Sequence, residues 1–290
     1  MPNVTSTTAE KFIDDVWDPE LNRAIEFDII IAGLFADWTK KMAGHGDVFH
    51  YVARHNLTAS TKSASSDATP EAITETEQTF TVSTHQVTAQ EIEDFAEVLS
   101  RYDIRAEYTM AASYALARAM DVAAAALLDD NTSQTVGTLT AELTDDNLIR
   151  AWQYGRDNAA KGDGKGVVSP ACWAGLLKVE KFTNQLYNGD TGGKALHEAQ
   201  IGKLYQATFY QSQLTVGTAP NSSGHLWWGD HFFKIIKRSP SNHAWYSPLA
   251  LTWVLTTDQI YGVFERQEAD EAAGATTVAR LHGCRLQSLK

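Results

Sequence analysis

The sequence predicts an α+β fold, and three observations predict it. Two stretches of strict alternation, Asp47 to Arg54 and Thr79 to Gln86, bracket a long polar segment. From Thr88 onward the apolar residues switch to helical spacing and keep it as far as Leu127. Beyond Asp130 short apolar runs alternate with helical ones, the pattern of a mixed α/β region.

The first 16 residues or so are polar and rich in Thr and Ser, which suggests an arm. Asp18, Pro19 and Glu20 read as a helix start, because a capping carboxylate, a proline at the first helical position and an acid near the positive dipole end all favour one. Leu21, Ile25 and Ile29 continue at helical spacing, and Gly33 is the expected stop. "DVFHYVAR" (47–54) alternates Val48, His50 and Val52 against Phe49, Tyr51 and Ala53, so it reads as a strand with two usable faces. Its partner is Thr79 to Gln86, where Phe80, Val82 and Thr84 share one face. Residues 55–78 between them have little to bury beyond Leu57 and Ile73. Connections in compact domains usually take about 4 to 6 residues, so this one either lacks order by itself or lies on another surface.

Thr88 with Glu91 three residues later makes a capping box, and the stripe Ile92, Phe95, Leu99, Tyr102, Ala106, Thr109, Ser113, Leu116, Met120, Ala124 and Leu127 follows. Unbroken, it would extend ~60 Å at ~1.5 Å per residue. Ser100 to Asp103 offers a second cap, which leaves two consecutive helices open as the alternative. After a Thr-rich connection, Thr144 caps a helix through Leu148, Ile149 and Trp152. "KGDGKG" reads as a turn, "VVSP" as a short buried strand, and Pro170 as the start of a helix with Trp173, Leu176 and Leu177. Tyr205–Leu214, Leu226–Phe233 and Leu249–Leu255 are further strands, and "TTVARLHGCRLQSL" a closing strand or pair.

Composition excludes several functions. Apolar residues make up 43% and charged residues 21%, an ordinary globular balance. A formal charge of -12 argues against gripping phosphate backbones, which takes clustered Lys and Arg. With no signal-peptide pattern at the start, Cys172 and Cys284 read as small core residues in a reduced compartment. "IIIAGLF" (29–35) is too short for the ~20 residues of a membrane span, so we expect no membrane partner.

Signals for catalysis or ligands are weak. "NGDTGGKAL" (188–196) lacks the first Gly and the final Ser or Thr of a phosphate-binding loop. His225, Asp230 and His231 have no recognised metal spacing and read as packed strand residues. There is no G-x-S-x-G elbow, and Ser169 sits in a buried turn before Pro170. Trp227, Trp228, Trp245 and Trp253 read as core aromatics rather than a sugar platform, and "ERQEADEAAG" (265–274) as a solvated loop. No catalytic residue, metal or cofactor is expected.

Taken in order, the pieces resemble one family, the major capsid proteins of tailed bacteriophages with the Hong Kong 97-type shell fold. "FIDDVWDPELNRAIEFDIIIAGL" is similar to the family's arm and first helix, "GDVFHYVARHNLT" and "TPEAITETEQTFTVSTHQ" to the two sides of its extended E-loop hairpin, and "EYTMAASYALARAMDVAAAALL" to its spine helix. "VVSPACWAGLLKVEKFTN" and "IGKLYQATFYQSQL" resemble A-domain segments, with Tyr205, Gln206 and Phe209 departing from the usual small or aliphatic choices, and "TTVARLHGCRL" resembles the closing P-domain strand.

The resemblance implies an arm and first helix over 1–35, the E-loop over 45–87, the P-domain spine helix over 88–130, a mainly A-domain region over 131–255, and a return to the P-domain over 256–290. It implies copies of the chain as the chief partner, in hexamers and pentamers of a closed virion shell put together in the bacterial cytoplasm. A separate scaffolding protein and a portal would assist, and double-stranded DNA would be enclosed without being read. E-loop residues Arg54, Lys62, Asp67, Glu71, Glu75 and Glu77 are the expected intersubunit contacts. The rival readings are an encapsulin-like compartment and a monomeric α/β enzyme or glycan-binding module.

Overall fold

A computed structural model describes residues 26, 28–42, 44, 46–53, 59–68, 70, 76–100, 102–130, 134–183, 203–215, 221–269, 278–279 and 282–289. The helix start expected at Asp18 lies outside them. A single helical turn, α1 (Ile31–Leu34), opens the described chain and contains Gly33, so the glycine does not end a longer helix here. Strand β1 (Ala36–Asp37) and a 3-10 turn (Thr39–Met42) complete a strap over the rest of the fold.

Strands β2 (Val48–Ala53) and β3 (Thr76–Thr81) pair antiparallel from Val48 opposite Thr81 to Ala53 opposite Thr76, the expected hairpin. The return strand ends at Thr81. Val82 is buried, its N–H bonds the Asp47 carbonyl, and a new strand, β4 (Thr84–Glu93), begins two residues later.

That strand overturns the capping box at Thr88. All ten residues of β4 pair with a later strand, and the half-buried row is Gln86, Thr88 and Gln90 ahead of buried Ile92. Polar side chains on the inward row hid the alternation, while Thr88 and Glu91 matched a helix start by chance. Helix α2 (Asp94–Leu99) starts instead after Glu93, with Phe95 and Leu99 exposed. The chain breaks at Ser100, whose N–H bonds the Ala96 and Glu97 carbonyls, and α3 (Ile104–Asp130) follows. The two-helix alternative is therefore the observed one. On α3 the buried residues are Ala112, Leu116, Asp121, Ala124, Ala125 and Leu128, so Leu116 and Ala124 keep their expected places. Alanine surrounds the helix so evenly that the stripe had no sharp edge. α3 is long and apolar enough to cross a membrane, with a mean hydropathy of 1.3, but its buried face carries Asp121 and packs on protein.

Beyond α3, β5 (Thr135–Gly137), α4 (Asp145–Asp157), β6 (Gly164–Val168), α5 (Pro170–Leu177), α6 (Glu180–Thr183), β7 (Lys203–Leu204), β8 (Ala207–Gln211) and β9 (Asn221–Trp228) form most of one unit. The second half of "KGDGKG" is strand rather than turn, because Gly164 to Val168 pairs with β8 on one side and β9 on the other. Ser169 caps α5, its Oγ accepting from the Cys172 N–H. Gly155 of α4 has to be glycine: an added Cβ would lie 2.6 Å from the buried Trp228 ring.

The expected strand Leu226–Phe233 is divided. Gly229, at φ 59°, turns the chain out of this sheet, and β10 (Phe232–Ser247) enters another. Strand β11 (Thr252–Glu265) returns along β10, β12 (Glu268–Ala269) pairs with β13 (Val278–Ala279), and β14 (Gly283–Leu289) rejoins the first sheet beside β9. The six-stranded sheet has order β5-β14-β9-β6-β8-β7 and the four-stranded sheet β1-β10-β11-β4.

Among the described residues, three clusters fill the core. One lies under α4 and α5 with Trp228, one joins α1 to α3 with Trp227 and Phe232, and one seats Trp38, Met42, Val82, Phe233 and Ile235 beneath the hairpin. The strap is tied to all of these regions. The Asp121 carboxylate of α3 accepts from the Ile30 N–H (3.2 Å) and the Ala32 N–H (2.6 Å), Lys165 of β6 donates to the Leu34 carbonyl, and Lys234 of β10 donates to that of Ala32. Asp121 is fully buried, so removing its acceptor strands two N–H groups. Asp121→Ala removes both acceptor oxygens and should lower unfolding stability by about 3 kcal/mol, read from urea denaturation of the subunit.

Candidate assembly surface

The hairpin carries the sequence-predicted contact residues, and its base is firmly seated. Phe49 lies opposite Phe80, with ring centroids 6.4 Å apart. Phe80 meets Phe233 edge-on at 5.0 Å, and Trp38 stacks on Phe233 at 4.0 Å. The Gln78 side chain makes an amide clasp with Gln267 beyond β11: its Nε2 donates to the Gln267 carbonyl and its Oε1 accepts from the Gln267 N–H. Above this base the character reverses. Every described residue from 59 to 68 is exposed, Lys62 and Asp67 among them. Glu77 is exposed on β3 and contacts His50 across the pair. Arg54, Glu71 and Glu75 lie outside the described residues. The geometry places Lys62, Asp67 and Glu77 on one projection, without bringing them into a cluster.

Polar joints missed by the sequence reading tie together the elements on which the hairpin is seated. At the turn between sheets, His231 Nε2 lies 2.9 Å from Glu265 Oε1, with both side chains buried. Glu265 therefore ends β11 as a buried partner and does not open a solvated loop. Aromatic rings surround the joint: Phe35 stacks on Phe232 at 5.4 Å, and Trp227 meets Phe232 edge-on at 5.6 Å.

A second joint ties the end of α3 to the six-stranded sheet. Asp129 sits in the last turn, where the helix dipole disfavours an acid. His225 Nε2 at 3.1 Å and Arg285 at 3.9 Å offset that cost. Burial lowers the pKa of His225 below its ordinary 6.5, although Asp129 pulls the other way. The neutral ring donates to the carboxylate.

A third joint surrounds Asp258 on β11. Its carboxylate accepts from Ser241 Oγ (2.8 Å) and faces His85 of β4 (3.0 Å) and Arg238 of β10 (3.0 Å). The bond with His85 first, then the others, holds its pKa below the usual carboxylate value. It bridges the stretch where β10 slips register between Arg238 and Ser241. At the far edge of the fold, Tyr205 and Gln206 form a turn with both φ values positive, at 47° and 61°. Their side chains bond Asp145 and Arg156, which holds residues that would not choose this turn.

These features describe a scaffold. Among the described residues no group of His, Cys, Asp and Glu is arranged to hold a metal ion. The four tryptophans share no platform: Trp227 and Trp228 are buried in different clusters, Trp245 is exposed, and Trp253 lies half-buried under the Arg105 guanidinium. Burial pushes the Cys284 thiol up to about 12, which removes it as a nucleophile. Signals for two joints were present in the sequence. A lone acid in the alanine-rich run "MDVAAAALL" marks Asp121, and "GDHFF" marks the turn that carries His231.

No protein-family model matches the sequence, and no curated protein matches it. Solved structures match across nearly the whole chain. A structure from Mycobacterium phage Che8 superposes with TM-score 0.78 at 18% identity, covering 95% of this chain and 97% of that one. The capsid of cyanophage P-SCSP1u gives 0.77 at 16%, covering 99% and 96%, and the head of Helicobacter pylori bacteriophage KHP40 gives 0.76 at 12%, covering 99% and 98%. The chain has the Hong Kong 97-type shell fold of phage capsids.

The His225 joint makes stability depend on pH. The ring is neutral in the fold but protonates near 6.5 once unfolded, so its contribution is complete above pH 6.5 and is lost as pH falls below it towards the lowered folded value. Melting temperature should fall between pH 7.5 and 5.5, and His225→Asn should show a smaller fall over the same interval.

Proposed function

We propose that this chain is the major capsid protein of a tailed bacteriophage, and that its copies close into an icosahedral shell around double-stranded DNA. The hairpin carries this reading. Its base is locked into an aromatic core, while the described connection buries nothing and so cannot offset its ordering entropy within one subunit. A neighbouring copy would supply the missing surface. The fold shared with phage capsids along almost the full chain supports the same conclusion.

In this reading the hairpin is the E-loop, α3 with the four-stranded sheet is the P-domain, and the six-stranded sheet with α4 and α5 is the A-domain. Lys62, Asp67 and Glu77, with Arg54, Glu71 and Glu75, supply contacts to adjacent copies in hexamers and pentamers. Exposed ion pairs contribute ~0 to 1 kcal/mol each, so closed symmetry has to multiply them. A separate scaffolding protein and a portal assist closure in the host cytoplasm. The charge of -12 suits a lining along which DNA slides without being held. Neither the geometry nor the comparisons support the encapsulin-like compartment, the α/β enzyme or the glycan-binding module.

Replacing residues 56–75 by a short Gly-Ser link tests the reading. The variant should melt as the full chain does yet form no closed particles by negative-stain microscopy. Closed particles from the deletion would refute the role of the hairpin. A stable monomer from the full chain, expressed with the other head proteins, would refute the shell itself.

A further inference from the structure

On the face of the four-stranded sheet turned away from α3, one carboxylate has competing cationic partners. Gln259 reaches the Leu116 carbonyl of α3 at 2.8 Å, so its strand neighbour Asp258 lies on the opposite face. There Asp258 meets Arg238 of β10 at 3.0 Å, His85 of β4 at 3.0 Å and His243 of β10 at 3.5 Å. The Asp258 side chain is only 7% exposed and has no route to bulk water, whereas Arg238, His85 and His243, at 43%, 52% and 57%, can each turn outward.

The two histidines are held in different ways. A guanidinium only donates, so Arg238 Nη2, 2.7 Å from His243 Nε2, makes that nitrogen an acceptor, and the His243 ring is uncharged in this arrangement. An ionised carboxylate only accepts, so His85 Nε2 donates to Asp258, and its Nδ1 can take a second proton without loss of that bond. Acid therefore acts oppositely on the two rings. A proton on His85 strengthens its hold on Asp258, while a proton on His243 takes the acceptor from Arg238 and sets two cations side by side. Asp258 stays ionised throughout, because the bond with His85 and then that with Ser241 hold its pKa below the ordinary 3.8.

The cluster lies where β10 slips register, with a shift on each side of Arg238. The residues around it anchor the strap and the hairpin base. The Ile236 N–H donates to Thr39 Oγ1, and Lys237 Nζ donates to the Met42 and Gly44 carbonyls. Ile260, opposite both Arg238 and His85, packs into the cluster of Trp38, Phe49 and Phe80. We propose that this cluster is an acid-responsive joint: protonation of His243 passes the Asp258 carboxylate from Arg238 to the two histidines and loosens the β10 bulge. The groups facing His243 are Arg238 and Ser241 of its own strand, Asp258 of β11 and, across Asp258, His85 of β4. Glu91 lies further along the same face of β4, the hairpin seated beside Ile260 brings His50, Tyr51 and Glu77, and the strap brings Lys40 and Lys41. The joint follows from these contacts alone and does not rest on the shell-forming reading.

Hydrogen exchange of the purified full chain, read by mass spectrometry at pH 7.5 and 5.5 and corrected for the intrinsic rate, tests the joint across the range in which an imidazole titrates. Peptides covering 236–243 should lose protection several-fold at pH 5.5, and those covering 39–44 should follow. His243→Gln keeps an acceptor for Arg238 but cannot gain a charge, so its 236–243 peptides should stay protected at pH 5.5. Arg238→Gln should exchange fast at both pH values. The His225 joint is intact in all three chains, so its own response to acid cancels in the comparison. Equal protection of 236–243 at the two pH values in the wild-type chain, or the same acid-induced loss in the His243→Gln chain, would overturn the proposal.

Discussion

A charge with no access to water must find donors within the protein, and the fold depends on how Asp121 does so. Its carboxylate sits on the inner face of α3 and takes two backbone N–H groups from the strap, at Ile30 and Ala32. A strap of so few residues has little apolar area with which to hold its own position. The buried acid fixes it, and Lys165 and Lys234 then close on its carbonyls from the two sheets. Helix, strap and both sheets thereby share one polar knot within an apolar surround. Phe35 and Trp38 follow the knot into place, and each seats one of the aromatic clusters.

From that knot the two halves of the molecule acquire different tasks. The six-stranded sheet is filled on one face by α4 and α5 and carries tight, glycine-dependent packing such as Gly155 against Trp228. The four-stranded sheet is more polar, with a row of Gln and Thr against α3, and the hairpin is seated on it. The described connection of the hairpin is exposed throughout, while the buried side chains gather where the sheets meet.

The readable parts of the sequence were those in which one residue type dominates an environment. Phe49, Phe80 and their alternating neighbours gave the hairpin, Ser169 with Pro170 gave α5, and the alanine-rich run gave α3. Reading failed where tertiary pairing overrode a local signal. Thr88 and Glu91 form a sound capping box in isolation, but β11 offers ten consecutive partners, and those hydrogen bonds outweigh one cap. "LWWGDHFF" is uniformly apolar around its turn, so periodicity could not reveal that its two halves enter different sheets. The candidate contact residues followed from the polarity of the connection. The joints at Asp121, Glu265 and Asp258 did not, because a buried acid looks like a surface acid until its partners, 17 to 173 residues away in sequence, are located.

The seating of the hairpin has a mechanical consequence. Phe80 touches Phe233 and Phe264, which belong to β10 and β11 at the centre of the four-stranded sheet. Tension along the hairpin is therefore delivered to the two inner strands of that sheet rather than to its edges. In the proposed shell, load passed to a hairpin by a neighbouring copy would enter each subunit through this aromatic root, as load enters a stone of a vault.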